Sequence, residues 1–233
     1  MKRFFYALMI IGVLFPKIVK ADEWLVPYVG VYYSENKEYK LIVIPTFVPP
    51  KYYRYSYKSN KHPKSKRLLR KKEELEQQIT PCIAELYRIS ETGSILIWNK
   101  PLLNDICPVH AIVTNDGSSV ATFDNWYSMG YGENVFVVYD ENGEAKKSYE
   151  LKEISPFPID YYLKSVVSIW WNKSGILDTY DSLLLWRNKD TLPSYIANDC
   201  RFIDNERIEI VFETRENIQK KRVYNVKSLE FEK

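Results

Sequence analysis

Three apolar hairpins, each folded over a turn that contains glycine, recur at nearly even spacing through the middle of this chain. They read LYRI-SETGS-ILIW (residues 86–98), AIVT-NDGSS-VATF (111–123) and VVYD-ENGEA-KKSYEL (137–151), and their glycines are Gly93, Gly117 and Gly143. Asp116-Gly117 and Asn142-Gly143 are strong turn dipeptides, because glycine takes positive φ without a Cβ clash and Asn or Asp tolerates it. Consecutive hairpins of this kind build an antiparallel meander. The flanks fit the same plan. Residues 24–48 hold two apolar, β-branched runs around the turn-like Ser34-Glu35-Asn36-Lys37, and the segments 201–213 and 220–231 alternate apolar and polar residues in period two. Ser155-Pro156-Phe157-Pro158 breaks the sheet, residues 159–164 read as a helical turn, and 166–171 (VVSIWW) and 182–186 (SLLLW) read as strands. Nineteen Tyr, ten Phe and six Trp suit strands better than helices.

Strands joined by NDG and ENG turns, with VFVVYDENGE followed by a return strand, resemble blades of the β-propeller class over residues 83–152. The resemblance implies blades of about 40 to 45 residues, hence four or five at most. No WD or kelch residues fix the period, and a β-sandwich or open barrel of meandering strands accommodates the same pattern. The expected fold class is therefore mainly β, an antiparallel meander of hairpins, propeller-like or sandwich-like, with one charged helical insertion.

Residues 1–21 read as an export signal: Lys2 and Arg3, an apolar run from Phe4 to Phe15, and Val19-Lys20-Ala21 before the expected cleavage site. The apolar run is shorter than the roughly 20 residues that span a bilayer. The expectation is an exported protein, periplasmic or extracellular, whose mature part from Asp22 to Lys233 is a single mainly-β domain without a transmembrane segment.

Charge is segregated along that part. The chain's formal charge of +3 includes four cations of the leader, so the mature protein is close to neutral. Residues 51–72 nevertheless carry ten Lys and Arg and no acidic residue, which leaves the remainder strongly acidic. Within this basic arm, residues 65–79 read as a helix with Leu68, Leu75 and Ile79 on one stripe. Its cations come first and its carboxylates later, against the helix dipole, so the helix is expected to lean on a partner surface. Arg54, Lys58, Lys61, Lys64, Lys66, Arg67 and Arg70, interleaved upstream with Tyr52, Tyr53, Tyr55 and Tyr57, are candidate polyanion contacts. The alternative is an arm docked on the acidic remainder of its own chain. For an exported protein the partners expected are an envelope protein, a glycan or an anionic polymer or lipid, and nucleic acid is not expected.

Chemistry-bearing motifs are few. Cys82, Cys107 and Cys200 are the only cysteines; Cys82 with Cys107 is the preferred disulfide, closing a loop of about 25 residues for roughly 3 kcal/mol, and three buried thiols are the alternative. His62 and His110 have no second ligand at metal spacing, and no metal or cofactor is expected. His110 with a turn serine and Asp116 makes a weak nucleophilic arrangement, for which no elbow motif exists. The most unusual composition is FDNWYSMGYGEN (123–134). There Asp124, Asn125 and Glu133 supply polar groups, Trp126, Tyr127 and Tyr131 supply flat faces, and Gly130 and Gly132 permit close backbone approach. These six polar and aromatic residues are the candidate ligand site, and a packed wide loop is the competing structural reading. The function expected is an exported binding or interaction module; the alternative is a carbohydrate-active hydrolase using Asp124 and Glu133 as its carboxylate pair.

Overall fold

Every hairpin read from the sequence is a hairpin in the computed structural model, which describes residues 27–128, 130–162 and 200–232. The first sheet contains β1 (Gly30–Tyr33), β2 (Tyr39–Ile44), β3 (Ile83–Ser90) and β4 (Gly93–Pro101). The second contains β5 (Pro108–Val113), β6 (Val120–Asn125), β7 (Phe136–Tyr139) and β8 (Ala145–Tyr149), and the third β9 (Cys200–Phe202), β10 (Arg207–Glu213), β11 (Gln219–Asn225) and β12 (Glu230–Phe231). Each sheet is a four-stranded antiparallel meander in which chain order equals spatial order. Three such units are blade-like, and β5 lies against both β1 and β9, so the first strands of the three adjoin. No sheet among the described residues closes into a propeller ring. The expected export signal (1–21) and the strands expected at 166–171 and 182–186 lie outside the described residues, as does the sequence Asn172-Lys173-Ser174, which fits the acceptor pattern for N-glycosylation.

Within the middle sheet β5, β6 and β7 are buried on both faces, and period-two geometry explains how one strand serves two cores. In β7, Phe136 and Val138 join Ile208, Ile210, Phe212 and Tyr224 of the third sheet, whereas Val137 and Tyr139 join Leu41, Val43, Leu86 and Trp98 of the first. The sheets thus stack in three layers, with the second sheet in the centre. Polar contacts register the first layer on the second: the backbone N–H and the side-chain amide of Asn36 donate to the side-chain and backbone oxygens of Asn115, both at 2.9 Å. Lys100 bridges Glu144 at 2.6 Å. Two turn glycines sit in this seam. A Cβ on Gly117 (φ 71°) would lie 2.2 Å from the Tyr39 ring, and one on Gly143 (φ 75°) 2.8 Å from Trp98, so both turns require glycine twice over.

Between β2 and β3 the chain leaves the sheet. Phe47 and Thr80 exchange both backbone hydrogen bonds at 3.1 Å, which closes the base of the excursion. The excursion is a helical hairpin of α1 (Tyr52–Lys61) and α2 (Lys66–Glu76), where the sequence suggested one helix. α2 falls where its leucine stripe predicts. α1 escaped notice because YYRYSYKSNK is aromatic and has no continuous apolar stripe. The support that α2 needs for its adverse charge order is α1, against which it packs. A short α3 (Leu151–Ile154) follows β8, held by a capping box between Glu150 and Glu153.

Candidate functional site

The loop after β6 is built around buried amides. Asn104, in the β4–β5 connection and 2 % exposed, donates from Nδ2 to the carbonyl of Asp124 and to Oδ1 of Asn125, both at 3.0 Å. Its Oδ1 accepts from the Thr122 hydroxyl at 3.2 Å. Asn125 donates to the carbonyl of Glu133 (2.9 Å), and Asn134 donates to that of Leu103 (3.1 Å) while accepting from Ser148 (2.8 Å). Asp124 is fully buried, and its Oδ1 accepts the Gly130 N–H at 2.6 Å. This network holds an unusual backbone: Asp124, Tyr127 and Asn134 have φ of 60°, 70° and 62°, alongside Gly130 and Gly132. Asn104 is the hub that sequence reading missed. Nothing in LLNDIC marks it, because its partners are 18 to 30 residues away in the chain.

The six candidate ligand residues are therefore close in the chain but unlike in surroundings. Asp124 and Asn125 are buried and serve the loop itself. Trp126 is half-buried, its ring edge-on to Tyr28 at 5.5 Å and to Tyr127 at 6.2 Å, and its backbone N–H donates to the Cys107 carbonyl. Tyr127 is half-buried, while Tyr131 and Glu133 are exposed. A carboxylate pair for glycoside hydrolysis must flank one accessible bond. Asp124 has no exposed surface, so that chemistry gains no support from the geometry.

The basic hairpin presents the opposite picture. Arg54, Lys58, Lys61, Lys64, Lys66, Arg67 and Arg70 are all exposed. Among the described residues, the hairpin's ion pairs are Arg70–Glu74 (3.6 Å) and Lys71–Glu74 (2.8 Å), both within α2, and none reaches the acidic sheets. Tyr53 and Tyr57, one helical turn apart on α1, are 68 % and 61 % exposed, and Lys61 Nζ lies 4.7 Å from the Tyr57 ring centre. Only Ser59 and Leu75 of the two helices are buried. Cations and aromatic rings coincide on one element whose ion pairs, among the described residues, stay within itself.

Of the remaining candidates, the three cysteines and His110 lie in the core, and Asp116 lies exposed in a turn. Cys82 and Cys107 are buried thiols of one apolar cluster, unbridged here, and burial pushes both up to about 12; Cys200 is a third buried thiol. His110, in β5, is boxed by the Tyr32 ring at 5.5 Å and the Phe123 ring at 6.0 Å, and burial lowers its pKa to about 4. Asp116 spends its carboxylate on the N–H of Ser118 in its own turn, 3.0 Å away. Among the described residues no three His, Cys, Asp or Glu gather as metal ligands, and no helix is long and apolar enough to cross a membrane. Comparison with protein-family models, with curated proteins and with solved structures returns no match.

Proposed function

We propose that this protein is an exported binding or interaction module of the cell envelope, periplasmic or extracellular, which engages an anionic partner through its basic helical hairpin. The observation that carries the reading is the set of seven exposed cations on α1, α2 and their connection that, among the described residues, form no ion pair with the acidic body. An arm meant only to neutralise its own sheets would fold back and form those pairs. A projecting cluster of one sign instead creates a field that draws an oppositely charged surface. Tyr53 and Tyr57 add apolar faces beside the charges, as in surfaces that contact lipid headgroups or sugar polymers. The three blade-like sheets serve as a propeller-like scaffold that holds the arm away from the core. The loop at 124–134 is a secondary candidate for a sugar, through Trp126, Tyr127, Tyr131 and Glu133.

The test replaces Arg54, Lys58, Lys61, Lys64, Lys66, Arg67 and Arg70 with Gln and measures co-sedimentation with phosphatidylglycerol vesicles and retention on heparin, across a salt series. Wild type is expected to bind in a salt-sensitive manner, because exposed charges are screened over about 10 Å at 0.1 M salt. The variant is expected to lose that binding. Equal binding by both proteins would remove the hairpin as the contact.

A further inference from the structure

A meander ends in a strand with an unpaired backbone edge, and proteins blunt such edges with charge, proline or brevity. Two of the three last strands here do so. β8 (AKKSY) carries Lys146 and Lys147, and β12 is two residues long and acidic at Glu230. β4 differs from both in carrying its charge and its proline, Lys100 and Pro101, only at its far end. It runs nine residues, pairs with β3 on one side and with no described strand on the other, and has no charged residue from Gly93 to Asn99. Ile95, Leu96 and Ile97 are exposed in succession at 60 %, 49 % and 45 %. Their succession has a structural cause: Leu86 faces Trp98 and Tyr87 faces Leu96, so Ile97 is an extra residue in a bulge and the in-and-out alternation is interrupted. Three adjacent apolar side chains on an exposed edge are a liability unless something covers them.

We propose that β4 is an assembly edge on which a second copy of this chain docks, the two β4 strands pairing antiparallel about a twofold axis. Charge selects both the occupant and the orientation. Glu91 precedes the strand and Lys100 lies at its far end, with only uncharged residues between them. Antiparallel pairing of two copies sets each Glu91 end beside the other's Lys100 end, whereas parallel pairing would set like charges together. Lys100 keeps 41 % of its side chain exposed while it bridges Glu144, so it remains available to a second carboxylate. Such a contact is isologous and closes at two copies. It is independent of the hairpin, which leaves the sheet between β2 and β3.

Sedimentation equilibrium of the mature protein over a concentration series tests the proposal, with amide exchange of β4 followed alongside. Wild type is expected to dimerise, with β4 amides gaining protection as concentration rises. Leu96→Lys, which brings two ammonium groups together near the axis, is expected to weaken the dimer at least about tenfold, and Glu91→Lys to weaken it less. Ile95→Lys provides a second edge variant should Leu96→Lys fold poorly, judged by an unchanged circular dichroism spectrum. A wild-type monomer into the millimolar range would overturn the proposal. So would a dimer that both lysine variants leave intact, or β4 protection that appears only with a different peptide.

Discussion

The middle sheet and the helical hairpin handle the same cost, the loss of chain entropy on ordering, in opposite ways. Every residue of β6 and β7 is buried, and each strand divides its side chains between two cores. The hairpin buries two residues out of its two helices and is fastened at its base by one pair of backbone hydrogen bonds. The sheet derives its order from apolar area removed from water. The hairpin derives its order from helix–helix contact and its closed base, and leaves its charges in solvent. The contrast teaches where change will be felt: in the sheet on folding, and in the hairpin on the partner contact proposed for it.

The sharpest way to break this comparison is to cut into the sheet. Phe136 has no exposed surface and touches the rings of Phe123, Tyr149, Tyr224 and Phe231, with centroid distances from 5.1 to 6.5 Å. Phe136→Ala removes a ring shared by the second and third sheets and is expected to cost about 3 to 5 kcal/mol, read from urea denaturation midpoints. A loss below about 1 kcal/mol would mean that the second and third sheets do not share a core.

Next in size is a pH effect that belongs to the sheet alone. His110 has a folded pKa of about 4 because burial disfavours the imidazolium, against 6.5 in the unfolded chain. Between those values the unfolded chain binds a proton that the native state does not. Stability is therefore expected to fall as pH drops from above 6.5 toward 4, by up to about 3 kcal/mol. Denaturation at pH 7.5 and pH 4.5 should show His110→Gln losing about 2 to 3 kcal/mol less than wild type between the two. Parallel losses in the two proteins would place the ring in water.

What the sequence disclosed follows the same division. The hairpins around Gly93, Gly117 and Gly143 were legible because turn chemistry and period-two alternation are local signals; they gave β3–β4 of the first sheet and all of the second, while alternation alone marked the third. The α2 stripe was legible for a similar reason. Stacking order was not, since whether Val137 or Val138 faces the first sheet depends on residues far away in the chain. The polar loop was legible in composition but not in role. Asp124 reads as a ligand group until Asn104, 20 residues earlier, is seen to order the backbone around it. In the hairpin, the charges were visible as a run, but that their ion pairs among the described residues stay within α2 is a property of three dimensions.

The smallest expected effect sharpens the comparison most, because it separates stability from binding by sign. Arg67 sits in the first turn of α2, where no acidic residue offsets the positive end of the helix dipole, and it lies four residues before Lys71. Arg67→Glu replaces an adverse charge with a favourable one at that end and converts a like-charge pair with Lys71 into an attractive one. The hairpin is expected to gain about 0.5 to 1 kcal/mol, measured as helix protection in amide exchange, while salt-sensitive binding to anionic vesicles weakens. A residue kept for folding would show both quantities falling together. Opposite signs would mean that Arg67 is held at a cost to its own helix for the sake of what the arm contacts.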